Sequence, residues 1–107
     1  MEQGNVFYKD RERLRRGQVN SFNELPVDAQ ENFLNIKKFV IEQIGHELDV
    51  YIYGSYYWGL WDEKSDYDVI IHENVNTSNL DSLILEKLGL NANVLFKENK
   101  TSVILIP

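Results

Sequence analysis

Residues 54–68 read GSYYWGLWDEKSDYD, a glycine-serine pair followed by an aromatic-rich segment and two aspartates one residue apart. An apolar run, 49–54, leads into this stretch, and a second run, 66–72, begins at the aspartates. Both runs are rich in β-branched and aromatic residues, so we predict two strands. The short connection favours an antiparallel or steeply angled pair and excludes a doubly wound unit.

The residues at the two ends of this stretch suit phosphate and metal binding. Gly54 has no Cβ, so a ligand can approach its backbone closely, and Ser55 adds a hydroxyl at a helix start suited to an anion. Asp66 and Asp68 are two apart on a strand, so both carboxylates face the same side and need a cation or a proton between them. A metal site made of carboxylates, with no cysteine nearby, favours hard ions such as Mg²⁺ or Mn²⁺. Together these features predict a site for a metal-bound nucleoside triphosphate.

The spacing of these residues resembles the nucleotidyltransferase superfamily of DNA polymerase beta, in particular the minimal nucleotidyltransferases. Their signature is a strand, Gly-Ser, ten residues and Asp-x-Asp, and here Gly54 and Ser55 are followed by ten residues and then Asp66-Tyr67-Asp68. Gly59 and Ser65 match further positions of the signature. The resemblance covers roughly residues 26–96.

The resemblance implies a function and a set of site residues. Asp66 and Asp68 would be the catalytic residues that hold Mg²⁺ or Mn²⁺, with Asn93 as a further candidate ligand. Contacts to the nucleotide and its phosphates would come from Gly54, Ser55, Gly59 and Ser65. The reaction would move a nucleoside monophosphate from a nucleoside triphosphate to a hydroxyl of a protein or a small molecule. ATP is the first candidate donor.

The chain departs from the family pattern at two positions near the motif. Where the family usually has a basic residue before its second glycine, this chain has Trp58, and Lys64 is a candidate substitute. Where active relatives carry a third carboxylate on a later strand, this chain offers Asn91 or Asn93. Asparagine can give a metal an oxygen but cannot act as a base. Other carboxylates that could reach the site, though none is at the matching position, are Glu98, Glu73 and Asp49.

The aromatic residues of the turn also allow a functional and a structural interpretation. At helical spacing Tyr57 and Trp61 share a face, which we expect to be the inner one. Trp58 is then available to stack on a base or to contact a partner protein.

The rest of the chain predicts an α+β domain with a mixed sheet of about four strands packed against helices. Apolar residues at three- and four-residue spacing predict helices from Pro26 to near Gly45 and over 80–88, the second with a Ser78–Asp81 capping pair. A short polar helix over 5–16 and a loop over 17–24 precede them. Two further strands, 91–96 and 101–106, are separated by four polar residues and predict a hairpin.

Composition and charge limit the possible partners. The 107 residues carry a net charge of −6 and no cysteine, and no run is apolar enough for a signal region or a membrane span. We therefore expect a cytoplasmic protein without a membrane partner. We divide it into a basic arm, 1–24, and a nucleotidyltransferase-like domain, 25–107. The acidic body argues against nucleic-acid binding, except through residues 9–16.

The missing third carboxylate leaves two classes of function open. One is a catalytic nucleotidyltransferase. The other is a weak or inactive relative that binds a nucleotide or a partner protein, as an antitoxin of this type does.

Overall fold

The computed structural model describes residues 16–72, 79–96 and 103–107. In order along the chain, they form a short 3-10 helix and then three α-helices and four strands. The 3-10 helix is Phe22–Glu24, and the α-helices are α1 (Val27–Ile44), α2 (Ser55–Trp58) and α3 (Leu80–Leu88). The strands are β1 (Val50–Ile52), β2 (Tyr67–Ile71), β3 (Ala92–Phe96) and β4 (Ile104–Leu105). Within this part of the chain, no helix is long and apolar enough to cross a bilayer.

The sheet has the order β3-β2-β1-β4. The first two strands are antiparallel, with Ile52 opposite Val69, as predicted from the short connection between them. The pair β2–β3 is parallel, so the sheet is mixed, and helix α3 is the connection between these two strands. Strand β2 is central, and its residues Val69 to Ile71 are buried.

The predicted hairpin between 91–96 and 101–106 is wrong. Strands β3 and β4 lie at opposite edges of the sheet, and β4 pairs with β1 in antiparallel register. On the outer side of β3, Val94 donates its backbone N–H to an Asp81 carboxylate oxygen at 2.9 Å. The predicted Ser78–Asp81 capping pair falls partly outside the described residues. Asn79, with φ 72°, is the N-cap of α3, and Ser78 lies outside the described residues.

Helix α1 packs its predicted apolar stripe into the core. Ala29, Phe33, Ile36 and Val40 are all buried. The helix ends at Gly45, whose φ of 97° is the left-handed conformation that favours glycine there.

The described part of the arm lies against the body of the domain. Val19 and Phe22 are buried in the core, and the predicted loop over 17–24 includes the 3-10 helix. The predicted helix over 5–16 falls almost wholly on residues that the structure does not describe. The boundary between 24 and 25 stays a prediction.

Candidate active site

Gly54 and Asp68 meet where β1 ends and β2 begins. Tyr53 donates its backbone N–H to the Asp68 carbonyl at 3.1 Å, which holds the two segments side by side. Gly54 has φ 74° and ψ −147°, and a Cβ built on it would lie 2.1 Å from the Asp68 carboxylate oxygen Oδ2. The group beside Gly54 in the structure is thus the Asp68 carboxylate, and the predicted approach of a ligand to the Gly54 backbone stays a prediction. A side chain at position 54 would therefore collide with the Asp68 carboxylate.

Asn93 joins the two aspartates from the neighbouring strand. In the parallel β2–β3 pair, Asp68 is the register partner of Asn93. The amide nitrogen Nδ2 of Asn93 donates to Asp68 Oδ1 at 2.9 Å and to Asp66 Oδ2 at 3.2 Å. Both carboxylates therefore face the same side, as predicted. The sequence offered Asn91 and Asn93 at the position of a third carboxylate, and the Asn93 side chain reaches the aspartate pair. The backbone carbonyl of Asn91 accepts the Tyr67 backbone N–H at 2.8 Å.

Ser55 lies at the start of α2, directly after Gly54. The backbone N–H of Trp58 donates to the Gly54 carbonyl at 3.0 Å, which closes this single turn of helix. Ser55 therefore adjoins the Gly54–Asp68 contact. Its role in phosphate binding stays a prediction.

Gly59 and Ser65 have contacts within the protein. A Cβ on Gly59 would lie 2.1 Å from the Gly17 carbonyl oxygen, so this glycine allows the arm to cross the end of α2. The Ser65 hydroxyl accepts the Asp62 backbone N–H at 2.9 Å and donates to the Asp62 carboxylate at 3.3 Å. Both residues shape the segment between Gly54 and Asp66. Their predicted contacts to a nucleotide stay predictions.

A model of the nucleotidyltransferase domain family matches residues 33–105, which is more than half of the chain. The chain belongs to this family. The match includes the Gly-Ser pair, both aspartates and all four strands, and it supports a general role in nucleotidyl transfer with a nucleoside triphosphate as substrate. No curated protein and no solved structure matches the chain.

In this nucleotidyltransferase domain, the Asp68 carboxylate is in surroundings that disfavour negative charge. Burial raises the pKa of Asp68, the neighbouring Asp66 charge raises it further, and the hydrogen bond from Asn93 lowers it in part. Burial, followed by the charges of Asp68 and Asp81, raises the pKa of the Tyr53 hydroxyl. A cation bound at this end of the sheet would therefore be stabilised electrostatically.

Asp81 is a site residue that the sequence interpretation assigned only to a helix cap. It lines one open cleft together with Asp66 and Asn93, with Ser82 and Leu85 on the α3 side. Its carboxylate is held by the Val94 N–H, so it is fixed at the edge of the cleft. The parallel β2–β3 pairing brings the start of α3 here, and that pairing cannot be read from local periodicity.

Of the other carboxylates considered from the sequence, the structure describes Asp49, which lies away from the aspartate pair. Asp49 precedes Val50, which pairs with Ile71 at the end of the sheet opposite Gly54. Glu73 and Glu98 lie outside the described residues, and their nearest described neighbours, His72 and Phe96, are at that same opposite end. Lys64 is exposed in the turn after Trp61.

The donor set at the pair suits one hard divalent cation. In the described portion of the chain, no three His, Cys, Asp or Glu side chains lie close enough to share a metal ion. Two carboxylates are present, and the Asn93 amide oxygen is the third donor within reach if the amide turns. Three oxygen donors of this kind fit Mg²⁺ or Mn²⁺.

The aromatic residues of the turn divide differently from the helical-spacing prediction. Helix α2 ends at Trp58, so the four-residue spacing does not put Tyr57 and Trp61 on a common helix face. Trp61 instead stacks on Tyr56 at 5.3 Å between ring centres, and Tyr56 stacks on Tyr67 at 5.2 Å. Tyr57 is buried as predicted, and Trp58 stays 54% exposed.

Proposed function

We propose that this protein is a Mg²⁺-dependent nucleotidyltransferase that moves a nucleoside monophosphate from a nucleoside triphosphate to a hydroxyl group, with ATP as the first candidate donor. The observation that carries the proposal is the convergence of Gly54, Asp66, Asp68 and Asn93 at one end of the sheet. The acceptor hydroxyl belongs to a protein or a small molecule.

Each residue has a defined task in this proposal. Asp66 and Asp68 hold the metal, with the Asn93 amide oxygen as a third donor. Gly54 and Ser55 receive the β- and γ-phosphates, and Gly59 and Ser65 shape the segment that carries them. Bound Mg²⁺ would polarise the phosphoryl oxygens and orient the triphosphate. The acceptor oxygen forms a bond to the α-phosphorus, the bond from that phosphorus to the β-phosphate oxygen breaks, and pyrophosphate leaves.

Besides the two aspartates that hold the metal, the described carboxylate that lines the cleft is Asp81, and the Val94 N–H binds it at the cleft edge. Asn93 lies where a base would be useful, and an amide cannot take a proton. The absence of a general base lowers a rate by about 10²–10⁴-fold. We therefore propose slow transfer, with the acceptor proton leaving to solvent or to a group on the acceptor itself.

The proposal is tested with ATP labelled at the α-phosphorus, which is incubated with Mg²⁺ and candidate acceptors, including a cell extract. Wild type should transfer label and release pyrophosphate, and both Asp66→Ala and Asp68→Ala should lose the transfer. Glu42→Ala, an exposed residue near the far end of α1, is the matched control and should keep it. Equal transfer by wild type and both aspartate variants would refute the catalytic proposal.

A second candidate function is a binding module that holds a nucleotide or a partner protein without turnover. It is favoured by the Asn93 amide at the place of a base and by the exposed ring of Trp58, which is available for stacking or protein contact. Calorimetry separates the two. Binding of Mg²⁺–ATP without pyrophosphate release supports a nucleotide-binding module, and no binding at all supports a protein-interaction role.

The cellular setting belongs to the same proposal. Absence of cysteine fits a reducing cytoplasm. The proposed contact with single-stranded nucleic acid through residues 9–16 falls, apart from Arg16, on residues outside the described part. If it exists, its affinity should drop steeply with salt.

A further inference from the structure

We propose that the Asn93 side chain is a metal-responsive latch on the aspartate pair. In the structure, the amide nitrogen faces both carboxylates and donates to Asp68 Oδ1 at 2.9 Å and to Asp66 Oδ2 at 3.2 Å. Ionised carboxylates only accept hydrogen bonds, so the NH₂ side of the amide is the side that can satisfy both of them. Asn93 thus bridges two like charges that would otherwise repel each other.

The Asn93 amide must rotate when a cation binds between the two carboxylates. Metal ions bind the oxygen of an amide, because the amide nitrogen has no lone pair free for them. Asn93 therefore rotates about its Cβ–Cγ bond, withdraws both N–H groups from the carboxylates and presents Oδ1 to the same space. This step rests on the proposed function only in taking Asp66 and Asp68 as metal ligands.

The latch makes binding of a free cation weak. A cation must displace two charge-assisted hydrogen bonds before it gains the carboxylates. An aspartate at position 93 would have no hydrogen to donate and would add a third negative charge, so it would repel the pair until a cation arrived. Asn93→Asp should accordingly bind free Mn²⁺ more tightly than wild type, by roughly ten- to a hundredfold. Asn93 is therefore a positioning residue that sets the metal affinity of the site.

Nuclear magnetic resonance observes the latch directly. The side-chain NH₂ signals of Asn93 are identified as the pair that disappears in Asn93→Ala, and Mg²⁺ is added without nucleotide. The expected result is that these signals move and exchange faster with solvent as the backbone signals of Asp66 and Asp68 shift. If the aspartate signals respond while the Asn93 side-chain signals stay in place, the latch is refuted. Because the latch weakens binding, the titration is repeated with Asn93→Asp. If the Asp66 and Asp68 signals stay unchanged in both proteins, the two aspartates do not bind the metal and the latch is refuted as well.

Calorimetry with Mn²⁺ gives the second readout. Wild type and Asn93→Asp are compared with Gln43→Glu, which adds the same charge at an exposed position near the end of α1. The latch predicts a gain in affinity for Asn93→Asp that Gln43→Glu does not show, and equal affinities in both variants contradict it. These measurements use no nucleotide and no turnover. A negative transfer assay therefore does not refute the latch. An Asn93 side chain that stays in place while the aspartate signals respond refutes the latch and does not refute the transfer proposal.

Discussion

Replacing Gly54 by alanine should disrupt the site and destabilise the fold together. An alanine Cβ would lie 2.1 Å from Asp68 Oδ2 and 2.9 Å from its Cγ, and real Cβ atoms do not approach other atoms so closely. The backbone at φ 74° and ψ −147° is in addition a conformation that only glycine adopts readily. The variant must therefore strain its backbone and move the Asp68 carboxylate away from Asn93.

The size of the effect follows from these two terms. Backbone strain of this kind costs about 1–3 kcal/mol. Loss of a hydrogen bond to a charged group costs about 1.5–3 kcal/mol, and partial exposure of Asn93 reduces that figure. We expect a loss of about 3 kcal/mol in the free energy of unfolding, which corresponds to a fall of roughly 10–20 °C in Tm.

Urea unfolding followed by tryptophan fluorescence measures this loss, and the chain contains a matched control. Gly89 also has a positive φ, 70°, but a Cβ there would meet no atom within 4 Å. Gly89→Ala should therefore cost only about 1–2 kcal/mol. In an Asp68→Ala background the collision with the carboxylate is removed and the Cβ of residue 68, at 3.1 Å, remains, so Gly54→Ala should cost less than in wild type. If it costs the same in both backgrounds, the coupling of Gly54 to Asp68 is refuted.

Three further predictions concern other parts of the molecule. Burial and the Asp66 charge raise the pKa of Asp68 above 3.8 in the folded state. The folded protein therefore binds the Asp68 proton more tightly than the unfolded chain does. Because of this, Asp68 lowers the free energy of unfolding as the pH rises through and above 3.8. In metal-free buffer, the stability of Asp68→Asn relative to wild type should increase from pH 3 to pH 7, and a flat or falling difference in urea titrations contradicts this. Gly59→Ala should displace the arm from the end of α2, since its Cβ would meet the Gly17 carbonyl. The change should speed tryptic cleavage at Arg16, and an unchanged rate argues against the contact. Phe33→Ala should cost about 3–5 kcal/mol, because this fully buried ring packs edge-on against two tyrosine rings, and a loss below 1 kcal/mol in urea unfolding would show that the ring is not in the core.

Local patterns in the sequence predicted the elements that neighbouring residues determine. The stripe from Ala29 to Val40 predicted a buried helix face, and the short connection between β1 and β2 predicted an antiparallel pair. The spacing of Gly54 and Ser55 from the aspartates predicted the family. These features depend on residues close together in the chain, so their periodicity and spacing carry the information.

Contacts between distant segments could not be read in the same way. The apolar pattern of 101–106 fits any free sheet edge, so it does not show that β4 pairs with β1 and not with β3. Asn91 and Asn93 are two residues apart and would share a face of an extended strand, so the choice between them required the register that places Asn93 opposite Asp68. The Gly54–Asp68 contact likewise joins the ends of two paired strands.

The most direct test of the account is a crystal structure of the protein with Mg²⁺ and a non-hydrolysable ATP analogue. The account predicts a metal ion bound by Asp66 and Asp68, with the Asn93 amide turned so that its oxygen faces the ion. It also predicts β- and γ-phosphates against Gly54 and Ser55. A nucleotide bound elsewhere, or phosphates at this end of the sheet without metal on the two aspartates, would contradict it.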